Sequence, residues 1–219
     1  DGQPFIPHYF GFDVDTNKVG ADDLKPSIDK IPFSENAISE GLIVDMRDEE
    51  TFKKGHLEGS FNIQAVSDNA KFETWLGSII KPEDTFTLVI DSKENKDAML
   101  HRVAKIGYEK LLNKVITISD ENLETTEKLN LEDFKNNSDK YTIVDIRNNS
   151  EVEEGKFFDS AISHPLNELR DTANEIPTDK PIVVHCAGGY RSAAGSSILQ
   201  KKLNGVTVYD LSDNIKEFK

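Results

Sequence analysis

The chain has 219 residues, with 40 aspartates and glutamates against 26 lysines and arginines, and its formal net charge is −14. So large a negative charge repels nucleic-acid backbones and anionic membrane surfaces, which argues against both as partners. No apolar run approaches the roughly 18 residues that a membrane-spanning helix needs, and a single cysteine cannot form an internal disulfide, so we expect a soluble, cytoplasmic protein.

The first 33 residues predict an extended connector. They contain four prolines and three glycines interleaved with aromatic residues, a composition that interrupts both helical and strand periodicity. We expect the aromatic side chains to rest on another part of the protein, with an upstream domain as the candidate. Because the chain starts with Asp1 rather than methionine, we also expect a further domain upstream.

An internal repeat follows the connector. Residues 41–47 form an apolar run that ends in Asp-x-Arg, and residues 141–147 repeat it about 100 positions later. Each run is followed by a second apolar run, a helical stretch and a third short run. In the first half these segments are residues 86–90, 96–106 and 115–118, and in the second half they are residues 181–185, 192–203 and 206–209. Short β-branched runs that alternate with helical stretches are typical of a parallel sheet covered by helices.

The repeat therefore predicts an α/β protein with two tandem domains, each a small parallel sheet with helices on both faces. We place the connector at residues 1–33, the first domain at 34–118, a polar linker at 119–130 and the second domain at 131–219.

Cys186 lies in a loop between a predicted strand and a predicted helix. Open α/β sheets bind ligands at the carboxyl ends of their strands. Gly188 and Gly189 allow successive backbone N–H groups to point inward, and the helix that begins near Ser192 adds a positive end. With Arg191 at the rim, these features favour the thiolate of Cys186 and predict a nucleophilic cysteine.

The loop length separates two kinds of cysteine chemistry. Cysteine-based phosphatases use Cys-x5-Arg, whereas Cys186 and Arg191 form Cys-x4-Arg. The smaller ring fits one sulfur atom better than a tetrahedral phosphate. A phosphatase or arsenate reductase nevertheless stays open as an alternative, with a distant residue as its acid.

The second half resembles a rhodanese domain in three segments, 144–147, 160–166 and the loop 186–192. The resemblance implies that Cys186 takes sulfane sulfur from thiosulfate or a low-molecular-weight persulfide, holds it as a persulfide, and passes it to a thiophilic acceptor. It implies catalytic roles for Cys186 and Arg191. The remaining loop residues would contact the substrate, with Tyr190 either stacking on it or capping the loop: Ala187, Gly188, Gly189, Tyr190 and Ser192.

The first half resembles the same family at residues 44–52 and 55–63. Its loop aligns as residues 91–97, with Asp91 at the cysteine position and no glycine. Because a carboxylate cannot carry sulfane sulfur, we expect a non-catalytic copy with a structural or docking role.

Two polar features of the repeat have structural explanations. Asp145 and Arg147 recur as Asp45 and Arg47 in the half that lacks a cysteine, so we interpret them as structural support through an ion pair. His185 should point away from Cys186 because side chains alternate along a strand, and we expect it to pack in the core. The histidines are scattered, so we expect no metal site and no cofactor in this chain.

The connector carries a further resemblance. Residues 3–10 and 13–20 are similar to the segment that follows the metallo-β-lactamase-fold domain in bacterial fusions with tandem rhodaneses. Some of these fusions are persulfide dioxygenases that use a non-haem iron. The resemblance implies an upstream domain of that fold as partner, with the iron ligands there. In the alternative, both domains only scaffold that upstream domain and Cys186 is vestigial.

The resemblance is weakest at two places in the second half. Residues 154–159 differ from the family's Gly-His pattern, and residues 210–218 lack its usual glycine pair and have Phe218 where tryptophan is common. Neither segment includes the cysteine loop, so we expect these departures to affect donor specificity.

Overall fold

A computed structural model of the chain describes Pro7, Tyr9, Gly11 and residues 24–66 and 71–218. The chain divides into two compact units between Glu124 and Thr125, inside the predicted linker. Each unit is an α/β domain with one parallel sheet, which confirms the predicted fold class. No helix in the described part of the chain combines the length and apolar character needed to cross a membrane.

In the residues that the structure describes, the first domain has five parallel strands in the order β1-β5-β4-β2-β3. The strands are β1 Phe33–Ser34, β2 Ile43–Asp45, β3 Phe61–Asn62, β4 Phe86–Val89 and β5 Leu112–Ile116. The α-helices are α1 Leu24–Asp29, α2 Glu49–Lys54, α3 Phe72–Ile79 and α4 Lys96–Ala104, and 3-10 turns cover Lys93–Asn95 and Tyr108–Leu111.

The second domain has four parallel strands in the order β7-β6-β8-β9. The strands are β6 Thr142–Asp145, β7 Ile162–Ser163, β8 Ile182–His185 and β9 Val208–Asp210. The α-helices are α5 Leu131–Asn136, α6 Asn149–Glu154, α7 Leu169–Thr172 and α8 Tyr190–Lys202, and 3-10 turns cover Ser138–Lys140, Ala173–Glu175 and Ser212–Phe218.

The predicted connector differs from the structure in its last ten residues. Instead of an extended segment, α1 and β1 belong to the first domain, so the boundary predicted at residue 34 lies too late. Ile28 and Ile31 are buried in the core, and this burial outweighs the helix-breaking composition. Pro26 is compatible with α1 because it lies in the first turn, where its missing N–H has no helical acceptor.

Residues 1–23 of the predicted connector lie outside the described part of the chain, except Pro7, Tyr9 and Gly11. The ring of Tyr9 lies directly against Gly77 in α3, where a β-carbon would collide with it. The aromatic side chain of Tyr9 therefore packs on the first domain itself.

Three adjacent strands of the second domain, β7, β6 and β8, bring their following loops to one edge of the sheet. Asp145, at the end of β6, pairs in register with Ser163 of β7 and His185 of β8. On one face of the sheet, Gly195 allows α8 to approach so closely that a β-carbon would lie 2.7 Å from Cδ1 of Ile146. The other face packs on an apolar cluster that includes Phe134, Ile143, Val183, Leu211 and Ile215. Packing on both faces fixes the edge from which the cysteine loop emerges.

Candidate active site

Cys186 lies directly after β8 and just before α8, and its residue surface is only 1% exposed. Its Sγ accepts a hydrogen bond from the backbone N–H of Gly189 at 3.2 Å. The loop therefore closes around the sulfur, with an amide donor aimed at it and the amino-terminal end of α8 adjacent. Both features stabilise negative charge on sulfur.

Gly189 is required at its position for two separate reasons. Its φ angle is 97°, which side chains of L-residues rarely allow. A β-carbon there would also lie 2.8 Å from both the backbone nitrogen and Oδ1 of Asp213. The loop is thus packed against the start of the last 3-10 turn, the segment in which the chain departs from the family pattern.

The other predicted loop residues have distinct surroundings. Ser192 is buried, and its hydroxyl donates to the carbonyl of Gly189 at 2.7 Å, which ties the loop to the first turn of α8. Ala187 and Tyr190 are half-buried, and Tyr190 is the first residue of α8. Gly188 is exposed, with a φ outside the left-handed range and open space around its α-carbon, so its backbone does not demand glycine.

Arg191 forms a two-pronged ion pair that its local sequence pattern does not reveal. Its Nη1 lies 2.6 Å from Oε2 of Glu151, and its Nη2 lies 2.7 Å from Oε1. Burial opposes the charge of Arg191, but its hydrogen bond to Glu151 and its further interactions with Cys186 and Glu151 outweigh burial and raise the pKa of Arg191. The guanidinium therefore stays charged, between the Glu151 carboxylate and the sulfur.

Glu151 itself is held by a capping box at the start of α6. The backbone N–H of Asn148 donates to its Oε2 at 3.1 Å, and Nη1 of Arg147 donates to its carbonyl at 3.2 Å. The hydrogen bond from Arg191 lowers the pKa of Glu151, so the carboxylate is ionised at neutral pH. The sequence signal for this role is the Asn148-x-x-Glu151 spacing directly after Arg147.

Asp145 and Arg147 form a buried ion pair below the loop edge. Nη2 of Arg147 lies 2.6 Å from Oδ2 of Asp145 and 2.9 Å from the carbonyl oxygen of Gly155, and the guanidinium stacks 4.2 Å from the Phe157 ring centre. The first domain repeats the arrangement, with Nη2 of Arg47 bonded to Asp45 and to the Gly55 carbonyl. In both domains the pair joins a strand end to the end of the following helix.

His185 packs in the core, as the side-chain alternation along β8 predicts. It is fully buried, with ring centres 5.8 Å from Phe157 and 5.2 Å from Phe158. Its Nε2 lies 3.8 Å from Oδ2 of Asp145, beyond hydrogen-bond distance. Burial lowers the pKa of His185, which keeps the ring neutral at neutral pH.

The register of the first domain corrects the alignment of its loop. Val89 pairs with Asp45 as His185 pairs with Asp145, so the residue after β4, Ile90, occupies the position of Cys186. The alignment of Asp91 with Cys186 is wrong by one residue, because the apolar run continues one residue past the strand. An isoleucine cannot carry sulfur either, so the expectation of a non-catalytic loop does not depend on this correction.

The residues in the described ranges, 24–66 and 71–218 with Pro7, Tyr9 and Gly11, include no group of three or more His, Cys, Asp or Glu side chains arranged to hold a metal ion.

A family model described as "Rhodanese-like domain" matches residues 31–115 and 130–219. The chain is 34% identical over 88 residues to the uncharacterized protein YqhL of Bacillus subtilis, an alignment that covers 40% of this chain and 68% of that protein. A solved rhodanese-related protein from Thermoplasma volcanium is 30% identical, with 42% of this chain and 89% of that chain covered and a TM-score of 0.38.

A solved NAD-dependent persulfide reductase from A. fulgidus is 36% identical over 39% of this chain and 14% of that chain, with a TM-score of 0.31. The family model matches both halves of the repeat, each over nearly a whole domain. The chain therefore belongs to the rhodanese-like family and contains two copies of its domain.

Proposed function

We propose that this protein is a sulfurtransferase in which Cys186 carries sulfane sulfur as a persulfide. The observation that supports this most directly is the geometry of the loop: Sγ of Cys186 accepts the Gly189 N–H at 3.2 Å, next to the start of α8. A buried sulfur that accepts an amide N–H beside a helix N-terminus is favoured as the thiolate and, after transfer, as the persulfide anion.

The reaction proceeds in two displacement steps. The Cys186 thiolate attacks the sulfane sulfur of the donor, a new S–S bond forms, and the donor's S–S or S–SO₃ bond breaks. The leaving thiolate or sulfite takes the electron pair of that bond. A thiophilic acceptor then attacks the outer sulfur and Cys186 leaves as a thiolate, so no external oxidant or reductant is needed.

The surrounding residues have separate roles in this cycle. Gly189 supplies the amide donor to sulfur, and Ser192 holds the Gly189 carbonyl. Arg191 supplies a permanent positive charge beside the sulfur and is positioned by Glu151. Ala187, Gly188 and Tyr190 form the part of the loop that a donor meets first.

The donor class includes thiosulfate and low-molecular-weight persulfides, and the setting is a cytoplasmic sulfide or persulfide pathway. The protein has an upstream metallo-β-lactamase-fold partner, for which the support is the resemblance of residues 3–10 and 13–20, most of which lie outside the described part of the chain. Any non-haem iron belongs to that upstream domain, and the sulfur-transfer steps on Cys186 do not use it. The first domain, with Ile90 at the cysteine position, has a structural or docking role.

The test is sulfur transfer from thiosulfate or cysteine persulfide to cyanide, followed as thiocyanate. We expect turnover in the wild type, loss of turnover in Cys186→Ser, and unchanged turnover in Ser163→Ala, an exposed serine at the same edge of the sheet. Equal turnover in Cys186→Ser would overturn the proposal and favour the scaffold alternative. Phosphate-ester hydrolysis that depends on Cys186 would instead favour the phosphatase alternative.

A further inference from the structure

We propose that Glu151 sets the donor preference of the Cys186 site, by neutralising Arg191 so that doubly charged oxyanions such as thiosulfate are disfavoured relative to alkyl persulfides. This inference rests on the proposed sulfur-transfer function. It concerns which donor loads Cys186 efficiently.

The geometry leaves Arg191 poorly available as a clamp for an anionic donor. Both terminal nitrogens of its guanidinium contact the Glu151 carboxylate, at 2.6 and 2.7 Å, in a two-pronged arrangement that arginine also uses to bind oxyanions. The Arg191 side chain is only 13% exposed. A dianion that binds this end of Arg191 must therefore compete with a carboxylate that the protein already supplies.

Glu151 is not free to move aside. Its carboxylate also accepts the Asn148 N–H at 3.1 Å, and its backbone carbonyl accepts from Arg147, which is itself paired with buried Asp145. Displacing Glu151 from Arg191 would also disturb the capping box at the start of α6. The carboxylate is thus held in place before any donor arrives.

The net charge around the loop also disfavours a dianionic donor. The charges of Arg191 and Glu151 cancel, so a thiolate on Cys186 leaves the immediate site negative. Asp213 adds a carboxylate at the loop, since its Oδ1 lies 2.8 Å from the place where a β-carbon of Gly189 would be. Lys216 lies 2.7 Å from the other carboxylate oxygen of Asp213, but both side chains are mostly exposed, and such pairs offset charge only weakly.

This charge balance separates the two donor classes. Thiosulfate carries its two negative charges on the reacting sulfur and on oxygens only two bonds away from it, so it is repelled as it approaches. An alkyl persulfide such as cysteine persulfide brings at most one charge at the reacting sulfur, and its carbon chain can lie along the half-buried Ala187 and Tyr190. The persulfide therefore meets less electrostatic repulsion than thiosulfate when it approaches Cys186.

The first domain supports the assignment by comparison. The residue six positions after Asp45 is Thr51, where the second domain has Glu151 six positions after Asp145. The hydroxyl of Thr51 bonds to the cap residue Asp48 at 2.6 Å and serves the helix alone. The carboxylate thus occurs in the copy that has the cysteine, and helix capping does not by itself require it.

The test measures the second-order rate constants with which thiosulfate and cysteine persulfide load Cys186, followed by intact mass. Glu151→Gln keeps a side chain that can cap α6 but removes the charge. We expect the thiosulfate-to-persulfide ratio to rise about fivefold, the order expected for one charge removed near a dianion. Glu153→Gln, an exposed glutamate on the same helix, should leave the ratio unchanged.

Asp213→Asn provides a second variant. Because Asp213 is exposed, we expect this variant to fold normally. We expect the ratio to rise about twofold in this variant, since the charge removed lies nearer to solvent. An unchanged or lower ratio in a folded Glu151→Gln protein, or in Asp213→Asn, would overturn the inference while leaving the proposed function intact. Failure of both donors to load the wild type would overturn the proposed function and this inference with it.

Discussion

Arg191 and Glu151 lie 40 residues apart in sequence and form an ion pair with contacts of 2.6 and 2.7 Å at the end of the cysteine loop. The pair joins α8 to α6 and places a charged guanidinium beside the sulfur of Cys186. It is therefore both a structural link and an electrostatic component of the site.

The first prediction concerns Arg191. Replacing it with alanine removes the positive charge beside the sulfur and leaves Glu151 without its partner. We expect Arg191→Ala to load sulfur about tenfold more slowly or worse, equivalent to about 1.4 kcal/mol in the barrier. The sulfur-loading rate of Arg191→Lys should lie between those of the wild type and Arg191→Ala, because lysine keeps the charge but loses the two-pronged contact. Loading at the wild-type rate by Arg191→Ala would show that the charge does not assist the reaction.

Two neighbouring glycines provide a matched pair of variants. Gly189→Ala forces a side chain into the left-handed region and against the backbone of Asp213, so we expect a loss of about 2 kcal/mol in the free energy of unfolding, together with loss of sulfur loading. Gly188→Ala enters open space and should change stability by less than about 0.5 kcal/mol. Urea unfolding of the full chain measures both variants, and equal effects would contradict the assigned loop geometry.

The buried Asp145–Arg147 pair predicts a large stability effect. Asp145→Ala leaves the Arg147 charge buried without its carboxylate, which should destabilise the second domain by about 3 kcal/mol or more. Asp45→Ala should destabilise the first domain similarly, because Arg47 is paired in the same way. Since Asp45 is remote in sequence from the cysteine loop, folded Asp45→Ala protein should still load sulfur. A direct catalytic role for the pair would instead appear as loss of loading in Asp145→Ala without loss of stability.

The first domain also has a pH-dependent ion pair. Partial burial opposes ionisation of Glu73, but the hydrogen bond from Arg102 prevails and lowers the pKa of Glu73 from 4.5 to about 2. Because the pKa is lower in the folded state, the contribution to stability is full above pH 4.5 and is lost as pH falls toward about 2.

Glu73→Gln should therefore flatten the acid side of the first-domain stability profile. It should lower stability at pH 7 and change it little at pH 2, as measured by urea unfolding at each pH. The control is Glu83→Gln, an exposed glutamate in the same domain. If the wild type lost no more stability between pH 5 and pH 2 than Glu73→Gln does, that result would contradict the assigned ion pair.

The parts of the fold that depend on local patterns were predictable from sequence. The Asp-x-Arg repeat, the alternating runs and the glycine loop placed the central strands and α8 within a few residues. The features that depend on tertiary pairing were missed. Glu151 carries a visible capping signature, but only the fold brings it to Arg191.

The error at Asp91 has the same origin. The end of a buried strand is set by its partner's register, which the apolar run from Phe86 to Ile90 does not reveal. Likewise, α1 forms in a proline-containing segment because Ile28 and Ile31 become buried in the domain. In each case packing against residues distant in sequence outweighs the local signal.

The most direct test of the central claim is the intact mass of the fully reduced protein after incubation with cysteine persulfide or thiosulfate. A persulfide on Cys186 adds one sulfur atom, about 32 Da. The account predicts this gain in the wild type, its discharge by cyanide, and its absence in Cys186→Ser. No adduct with either donor in the wild type, or the same adduct in Cys186→Ser, would contradict it.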